Sequence, residues 1–416
     1  MKMGGGKIYV IGAGLAGLSA ATHLAAQGRK VIVLEGAGQA GGRCRSYFDS
    51  GLGQVIDNGN HLVLSGNHNV RRYLTRIGSL DKVRGPRRAQ FDFVDIQEGR
   101  KWVVAPNAGP IPWWINSASR RVLGTKPGDY AEYAKLLWAG RDKKVSDIVA
   151  CKGALWDRLM RPFLLAALNT DPPEASAALA GAVLRETLAR GGRACRPRIA
   201  MPSLAAAFVD PALAYLERAG AEVRLGARLR AIVMGPHAAI ALEFPDTTIA
   251  LDKADKVILA VPPAAAADLL PGLMVPTESR AILNAHFKCP APPNAPMMVG
   301  VLGSVAEWVF AFEDRISVTV SGADALMDRD REELAKILWR DVALALGLGA
   351  QSPPPQWQIV KEKRATFAAT PQEDARRPAA KTPWRNLVLA GDWTQTGLPA
   401  TIEGALRSGE TAANLL

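Results

Sequence analysis

"KIYVIGAGLAGLSAATHLAAQGRKVIVLE", residues 7–35, decides how the rest of this 416-residue chain is read. Residues 7–11 form an apolar run short enough for a buried strand. Gly12-Ala13-Gly14-Leu15-Ala16-Gly17 follows, then a helical stretch to about residue 27 and a second strand ending at Glu35. A GxGxxG that leaves a strand, opens a helix and is followed about 18 residues later by an acid has the context of a dinucleotide-binding fold. In that context Gly12 permits the tight turn, Gly14 lets the backbone approach a pyrophosphate at the helix N-terminus, and Gly17 lets helix and strand pack closely. Glu35 is expected to accept hydrogen bonds from ribose hydroxyls. The same run has the hydrophobicity of a signal-peptide core, but its spaced glycines and the second strand argue for folded structure.

Composition narrows the class. Hydrophobic residues make up 48% of the chain, enough core for two or three domains. Fifty-one Lys and Arg against 39 Asp and Glu give a net charge of +12, which favours anionic partners. The basic residues fall in short scattered clusters at 84–88, 120–121, 141–144 and 190–198, without a nucleic-acid motif. A solvated or lipid-facing surface is therefore expected, and no nucleic acid. Cys44, Cys151, Cys195 and Cys289 form no CxxC pair, which predicts neither a metal site nor a disulfide framework and fits a reducing compartment. No apolar run is long enough to span a bilayer, so any membrane contact is expected from one side.

After the ribose acid comes "AGGRCRS", residues 40–46, which resembles the second fingerprint of flavin-dependent amine oxidases and carotenoid-type desaturases. The resemblance implies FAD, with Arg43 beside its phosphates, Gly42 under the flavin edge and the backbone near Leu229 meeting the adenine. It also implies that the C-terminus returns to the cofactor. "NLVLAGDW" (386–393) supplies a strand with Gly391 and with Asp392 toward the ribityl or pyrophosphate end. "PATIEGALRSG" (399–409) supplies a helix starting near Pro399, whose first-turn N–H groups near Ile402 meet the charge of reduced flavin. Gly404, Ser408 and Gly409 are expected to let the cofactor approach that helix. Glu403 is either a first-turn carboxylate favouring the helix dipole or a structural group at the cofactor. The implied fold is α/β, with a Rossmann-like FAD-binding domain of GR2, amine-oxidase-like type assembled from 1–66, 200–265 and 384–416. An interleaved α+β substrate domain would comprise 67–199 and 266–383.

Four further stretches tighten the resemblance: "IDNGNHLVLSGN" (56–67), "LNTDPPEASAALAGAVLRETL" (168–188), "EKRATFAATP" (362–371) and "GDWTQTGLPATIEGALRSG" (391–409). Together, across nearly the whole chain, they resemble the bacterial hydroxysqualene dehydroxylase family, also called squalene-associated FAD-dependent desaturases. That implies a reduction in which reduced FAD replaces the hydroxyl of hydroxysqualene by hydrogen, giving squalene for hopanoid synthesis. The leaving hydroxyl needs a proton or hydrogen-bond donors. His61, as acid or orienting donor, is the expected catalytic group, with Asn60 and Thr401 beside it. No cysteine follows Cys289, so the flavin is expected to be noncovalent. No second nucleotide fingerprint is present, so electrons are expected from visiting NAD(P)H or a separate reductase. "PIPWWINSASRRVL" (110–123) joins two tryptophans to a basic pair, and Trp102, Trp138 and Trp156 lie in the same block. This suits a peripheral contact with the cytoplasmic face of a membrane, or a tunnel mouth, although each tryptophan singly also suits a core. A carotenoid-type desaturase or other oxidoreductase of the amine-oxidase superfamily, and a flavin-containing lipid-binding protein without turnover, are the competing readings.

Overall fold

In the computed structural model, which describes residues 6–349 and 353–416, the first strand lies at the centre of a five-stranded parallel sheet. The strand order is Glu222–Arg224, Val31–Leu34, Ile8–Ile11, Lys256–Leu259, Leu387–Leu389. Every neighbouring pair is parallel, with Ile8 opposite Val31 and Lys256, and Ile11 opposite Leu34 and Leu259. The two central strands are buried at every residue, which is why their sequences read as unbroken apolar runs. Helix Leu15–Ala26 is apolar on nearly all sides because it is sandwiched between this sheet and the C-terminal helix Ile402–Asn414.

That sandwich explains the small residues of the C-terminus and corrects two expectations. The helix begins at Ile402 and not at Pro399, because the Thr401 hydroxyl caps it by accepting from Gly404 N at 3.1 Å. Gly409 faces the first helix, where a Cβ would lie 2.1 Å from the Ala16 carbonyl oxygen. The Ser19 hydroxyl donates across the same contact to the Leu406 carbonyl at 2.8 Å. The close approach bought by Gly409 is therefore between helices.

A second, seven-stranded sheet has the order Trp357–Phe367, Ser279–Phe287, Ile316–Val320, Trp308–Ala311, Met298–Leu302, Phe91–Asp95, Arg100–Val104. Its pairs are antiparallel except Met298–Leu302 with Phe91–Asp95. Strand alternation divides its residues cleanly. Leu283, Ala285, Phe287 and Val318 lie under helix Arg331–Leu346, packing with Leu334, Leu338, Trp339 and Val342. Asn284, His286, Ser317 and Thr319 point the other way, where Asn284, His286 and Thr319 contact residues 57–60.

Residues 113–147 form a chain of short 3-10 turns, Trp113–Asn116, Pro127–Tyr130, Glu132–Trp138 and Val145–Asp147. Gly124, Pro127, Gly128 and Gly140 interrupt this stretch and keep regular helix from propagating. Longer helices return at Arg161–Leu168 and Ala177–Glu186.

Candidate active site

The nucleotide end is built by the turn between Ile11 and Leu15. Gly12 adopts φ +106°, and a Cβ at Gly17 would lie 1.9 Å from the Gly12 carbonyl oxygen, so loop and helix close on each other as only glycine allows. Gly14 is different, because a Cβ there meets no atom within 4 Å. It stands at the N-cap with no side chain capping the helix, leaving backbone N–H groups directed at open space. The second glycine turn borders that space: Gly14 forms a bridge with Gly41, and a Cβ at Gly42 would lie 3.4 Å from the Gly14 Cα. This is a cradle for an anionic diphosphate, and the donor set fits FAD.

Glu35 braces the cradle from inside. Its two carboxylate oxygens accept from Ala13 N at 2.7 Å and Ala37 N at 2.8 Å, and each keeps a further lone pair for a ribose hydroxyl. Leu229 lies in the loop after strand Glu222–Arg224, which runs alongside Glu35 through the Ala227 N to Glu35 O bond of 2.7 Å.

Arg43 ties the second glycine turn to the C-terminal return. Its guanidinium donates to Asp392 Oδ1 at 2.7 Å and to the Ala365 carbonyl at 2.6 Å. Asp392, first, and its hydrogen bond hold the guanidinium's pKa above its usual value. Asp392 is 7% exposed while the Arg43 side chain remains 42% exposed, so the cation is held from behind and stays accessible. Gly391 N donates to the Ser408 hydroxyl at 2.8 Å, and the Trp393 indole donates to the Val261 carbonyl at 2.9 Å. Buried Arg377 collects this return loop, donating to the Asp392 and Thr394 carbonyls and to the Thr396 hydroxyl. Arg377 was not legible beforehand, since neighbouring Arg376 shares its residue type and is half-exposed.

The predicted catalytic residues fall into different settings. Thr401 is a helix cap, its hydroxyl engaged with Gly404 N. Asn60 stands between the two sheets, its Nδ2 donating to the Val318 carbonyl at 3.2 Å and to Thr319 Oγ1 at 3.1 Å, while its Oδ1 is buried without a hydrogen-bond partner. Asn284 Oδ1 accepts from the Asn60 backbone N at 3.3 Å and from Thr319 Oγ1 at 2.8 Å. His286 joins the same junction, between Ser317 Oγ at 2.8 Å and the Asp57 carbonyl at 2.9 Å. These partners come from a strand more than 200 residues away, and their sequence, "AILNAHF", reads only as a strand.

His61 is half-buried. Desolvation first, then the nearby Arg43 guanidinium, pushes its pKa down to about 4. At neutral pH the imidazole is therefore uncharged, which of its two expected roles, acid or orienting donor, favours the second. Cys44, beside Arg43, is a buried packing group whose thiol burial pushes up to about 12.

Glu403 acts away from the flavin cradle. It accepts from Asn69 N, Asn69 Nδ2 and Val70 N at 2.6–3.1 Å and so caps helix His68–Ile77, whose own N-cap, Asn67, makes no side-chain cap.

Comparison with known proteins agrees with this geometry. The family model described as flavin-containing amine oxidoreductase matches residues 15–416. A hydroxysqualene dehydroxylase of Sinorhizobium fredii is 52% identical over 408 residues, covering 98% of this chain and 97% of that protein. One of Rhodopseudomonas palustris is 52% identical over 410 residues, covering 98% of each. Among solved structures, an oxidoreductase from Methanosarcina mazei superposes with a TM-score of 0.73 at 15% identity, covering 98% of this chain and all of that one.

Proposed function

Because this chain belongs to the hydroxysqualene dehydroxylases of the flavin-containing amine oxidoreductase family, we propose that it converts hydroxysqualene to squalene. The near-complete match to those dehydroxylases carries the reading. Bound in its reduced form, FAD supplies the hydride that takes the place of the hydroxyl. Residues 12–17 and 41–43 hold the diphosphate, Glu35 the ribose, and the first turn at Ile402 faces the flavin pyrimidine. Neutral His61 and the amide of Asn60 border the cleft, where they orient the substrate hydroxyl by hydrogen bonding. The electrons come from NAD(P)H or a separate reductase. Anaerobic addition of hydroxysqualene to protein with prereduced flavin is expected to reoxidise it with a stoichiometric yield of squalene. A flavin that stays reduced in the presence of bound substrate contradicts the reading.

We further propose that the protein works as a peripheral enzyme on the cytoplasmic face of the cell membrane. Among the described residues no helix is long and apolar enough to cross a membrane. All four cysteines are free thiols, which suits a reducing compartment. Trp102, Trp114 and Trp156 are core residues, but Trp113 is 66% exposed, Trp138 80% and Ile111 59%. Exposed tryptophans with Arg120, Arg121 and Arg141 nearby in sequence form a surface that anionic lipid attracts. Replacing Trp113 and Trp138 together by Ser should weaken sedimentation with anionic phospholipid vesicles by about tenfold or more, with turnover in detergent preserved. Unchanged sedimentation contradicts this docking surface.

A further inference from the structure

Residues 82–91, 99–128 and 187–209 contain no acidic residue. The first stretch carries Lys82, Arg84, Arg87 and Arg88, and the last Arg190, Arg193, Arg196 and Arg198. Strands from both, Val83–Arg84 and Pro197–Ala200, pair in a three-stranded sheet with Leu62–Leu64. Arg196, whose carbonyl extends the ladder by accepting from Ser65 N at 3.0 Å, shares a face with Arg198. Arg198 Nη1 donates to the Pro86 carbonyl at 2.9 Å, and a Cβ at Gly85 would lie 2.0 Å from the Pro197 carbonyl oxygen, so the two segments cross in contact. Arg87 and Arg88 follow, both exposed. A Cβ at Gly192 would lie 3.2 Å from the Ala89 Cβ, which sets exposed Arg193 beside them. Burial first, and then the Arg196 guanidinium, hold the Arg198 pKa below its usual value, as cations gathered together require.

The middle stretch is fastened to the same place. Gly192 N donates to the Asn107 carbonyl at 2.6 Å and Arg193 N to the Ala108 carbonyl at 3.2 Å. Asn107 in turn holds the loop that follows, its Nδ2 donating to the Ile111 carbonyl at 2.9 Å and its Oδ1 accepting from Trp114 N at 3.1 Å. Exposed Ile111 and Trp113 are thereby tied to the segment that carries Arg193. Arg120 joins them, its Nε donating to the Ala105 carbonyl at 3.0 Å. Among the described residues no carboxylate stands within ion-pair distance of Arg87, Arg88, Arg193 or Arg196, whereas Arg72, Arg76 and Arg407 each meet a glutamate. Asp92, the acid nearest Arg88 in sequence, accepts from Gln90 Nε2 at 3.2 Å, and Arg196 Nε is buried without a hydrogen-bond partner.

Charge alone suits any polyanion. An isoleucine and a tryptophan set beside the cations suit a bilayer, where phosphates lie just above hydrocarbon. We propose that this surface is a headgroup site for anionic phospholipid, with Arg87, Arg88, Arg193 and Arg196 taking the phosphates while Ile111 and Trp113 enter the acyl boundary. The site rests on the membrane-contact reading and adds to it a preference for lipid charge, which tryptophans do not confer. It holds the enzyme on the surface in which a hydrocarbon substrate dissolves.

Replacing Arg87, Arg88 and Arg193 together by Gln tests this, since all three are exposed. Tm, FAD content and turnover in detergent should match the unsubstituted protein. Sedimentation is measured with vesicles of phosphatidylcholine alone and of phosphatidylcholine mixed with phosphatidylglycerol. The unsubstituted protein should favour the mixed vesicles, and the arginine variant should bind them about 100-fold more weakly. A control with Lys30→Gln, Arg218→Gln and Lys253→Gln lowers the net charge equally, at exposed positions leading into strands of the parallel sheet, and should lose less than about threefold. Equal losses in the two variants reduce the effect to overall charge and overturn the site. Binding that ignores phosphatidylglycerol also overturns it, leaving the cations to another polyanion such as an acidic protein. Sedimentation that falls when Trp113 and Trp138 become Ser, but not in the arginine variant, overturns the headgroup site alone. No sedimentation of the unsubstituted protein with either vesicle overturns the membrane-contact reading and this site with it.

Discussion

Arg43→Ala is expected to purify largely without flavin. The substitution removes a cation presented to the diphosphate cradle and leaves Asp392, 7% exposed, without its counter-charge. A lost charge-assisted hydrogen bond to the diphosphate is worth roughly 1.5–3 kcal/mol, so FAD should bind at least about tenfold more weakly. Asp392→Asn should be milder, because its amide oxygen still accepts from Arg43 and no charge is stranded. The ratio of flavin to protein absorbance after gel filtration, followed by titration of the apoprotein with FAD, measures both effects. Stoichiometric FAD in Arg43→Ala would show that the guanidinium serves only the junction with Asp392 and Ala365.

Glu403→Ala should produce the largest loss of stability among the substitutions considered. Three donors of helix His68–Ile77 converge on this carboxylate, which is 3% exposed, and Arg407 Nη2 lies at 3.4 Å. Its removal strands buried N–H groups and uncouples the C-terminal helix from the helix it caps, at a cost of about 3 kcal/mol. Glu403→Gln should fall between, since one amide oxygen remains to accept but the NH2 group faces other donors. Chemical denaturation with FAD saturating in every sample measures the difference and holds the ligand's own stabilisation constant. A loss within about 0.5 kcal/mol would mean that water satisfies these donors equally well.

Both predictions depend on contacts across more than 300 residues of chain, and these mark where the sequence stops being informative. The glycine turns, Glu35 and the buried strands were legible because each is specified locally, by positive φ, by close approach or by apolar runs. Glu403 was readable only as an acid in a helical first turn, with nothing to show that its partner was another helix. Gly409 announced a close approach but not the identity of what approached. Thr401 looked like an available hydroxyl until the helix start at Ile402 turned it into a cap. His61 drew attention as a group able to give a proton, whereas burial and Arg43 push its pKa down. Asn284 and His286 sit on a strand whose alternation predicts a face without saying what that face looks at.

The central claim is that the flavin gives its electrons to a carbon bearing a hydroxyl. A single anaerobic turnover in D2O tests it most directly, because the transferable hydrogen of reduced flavin exchanges with solvent. With prereduced enzyme and hydroxysqualene, squalene carrying one deuterium on carbon should appear in step with flavin reoxidation. Squalene without deuterium, or no squalene while the flavin stays reduced, would contradict the account.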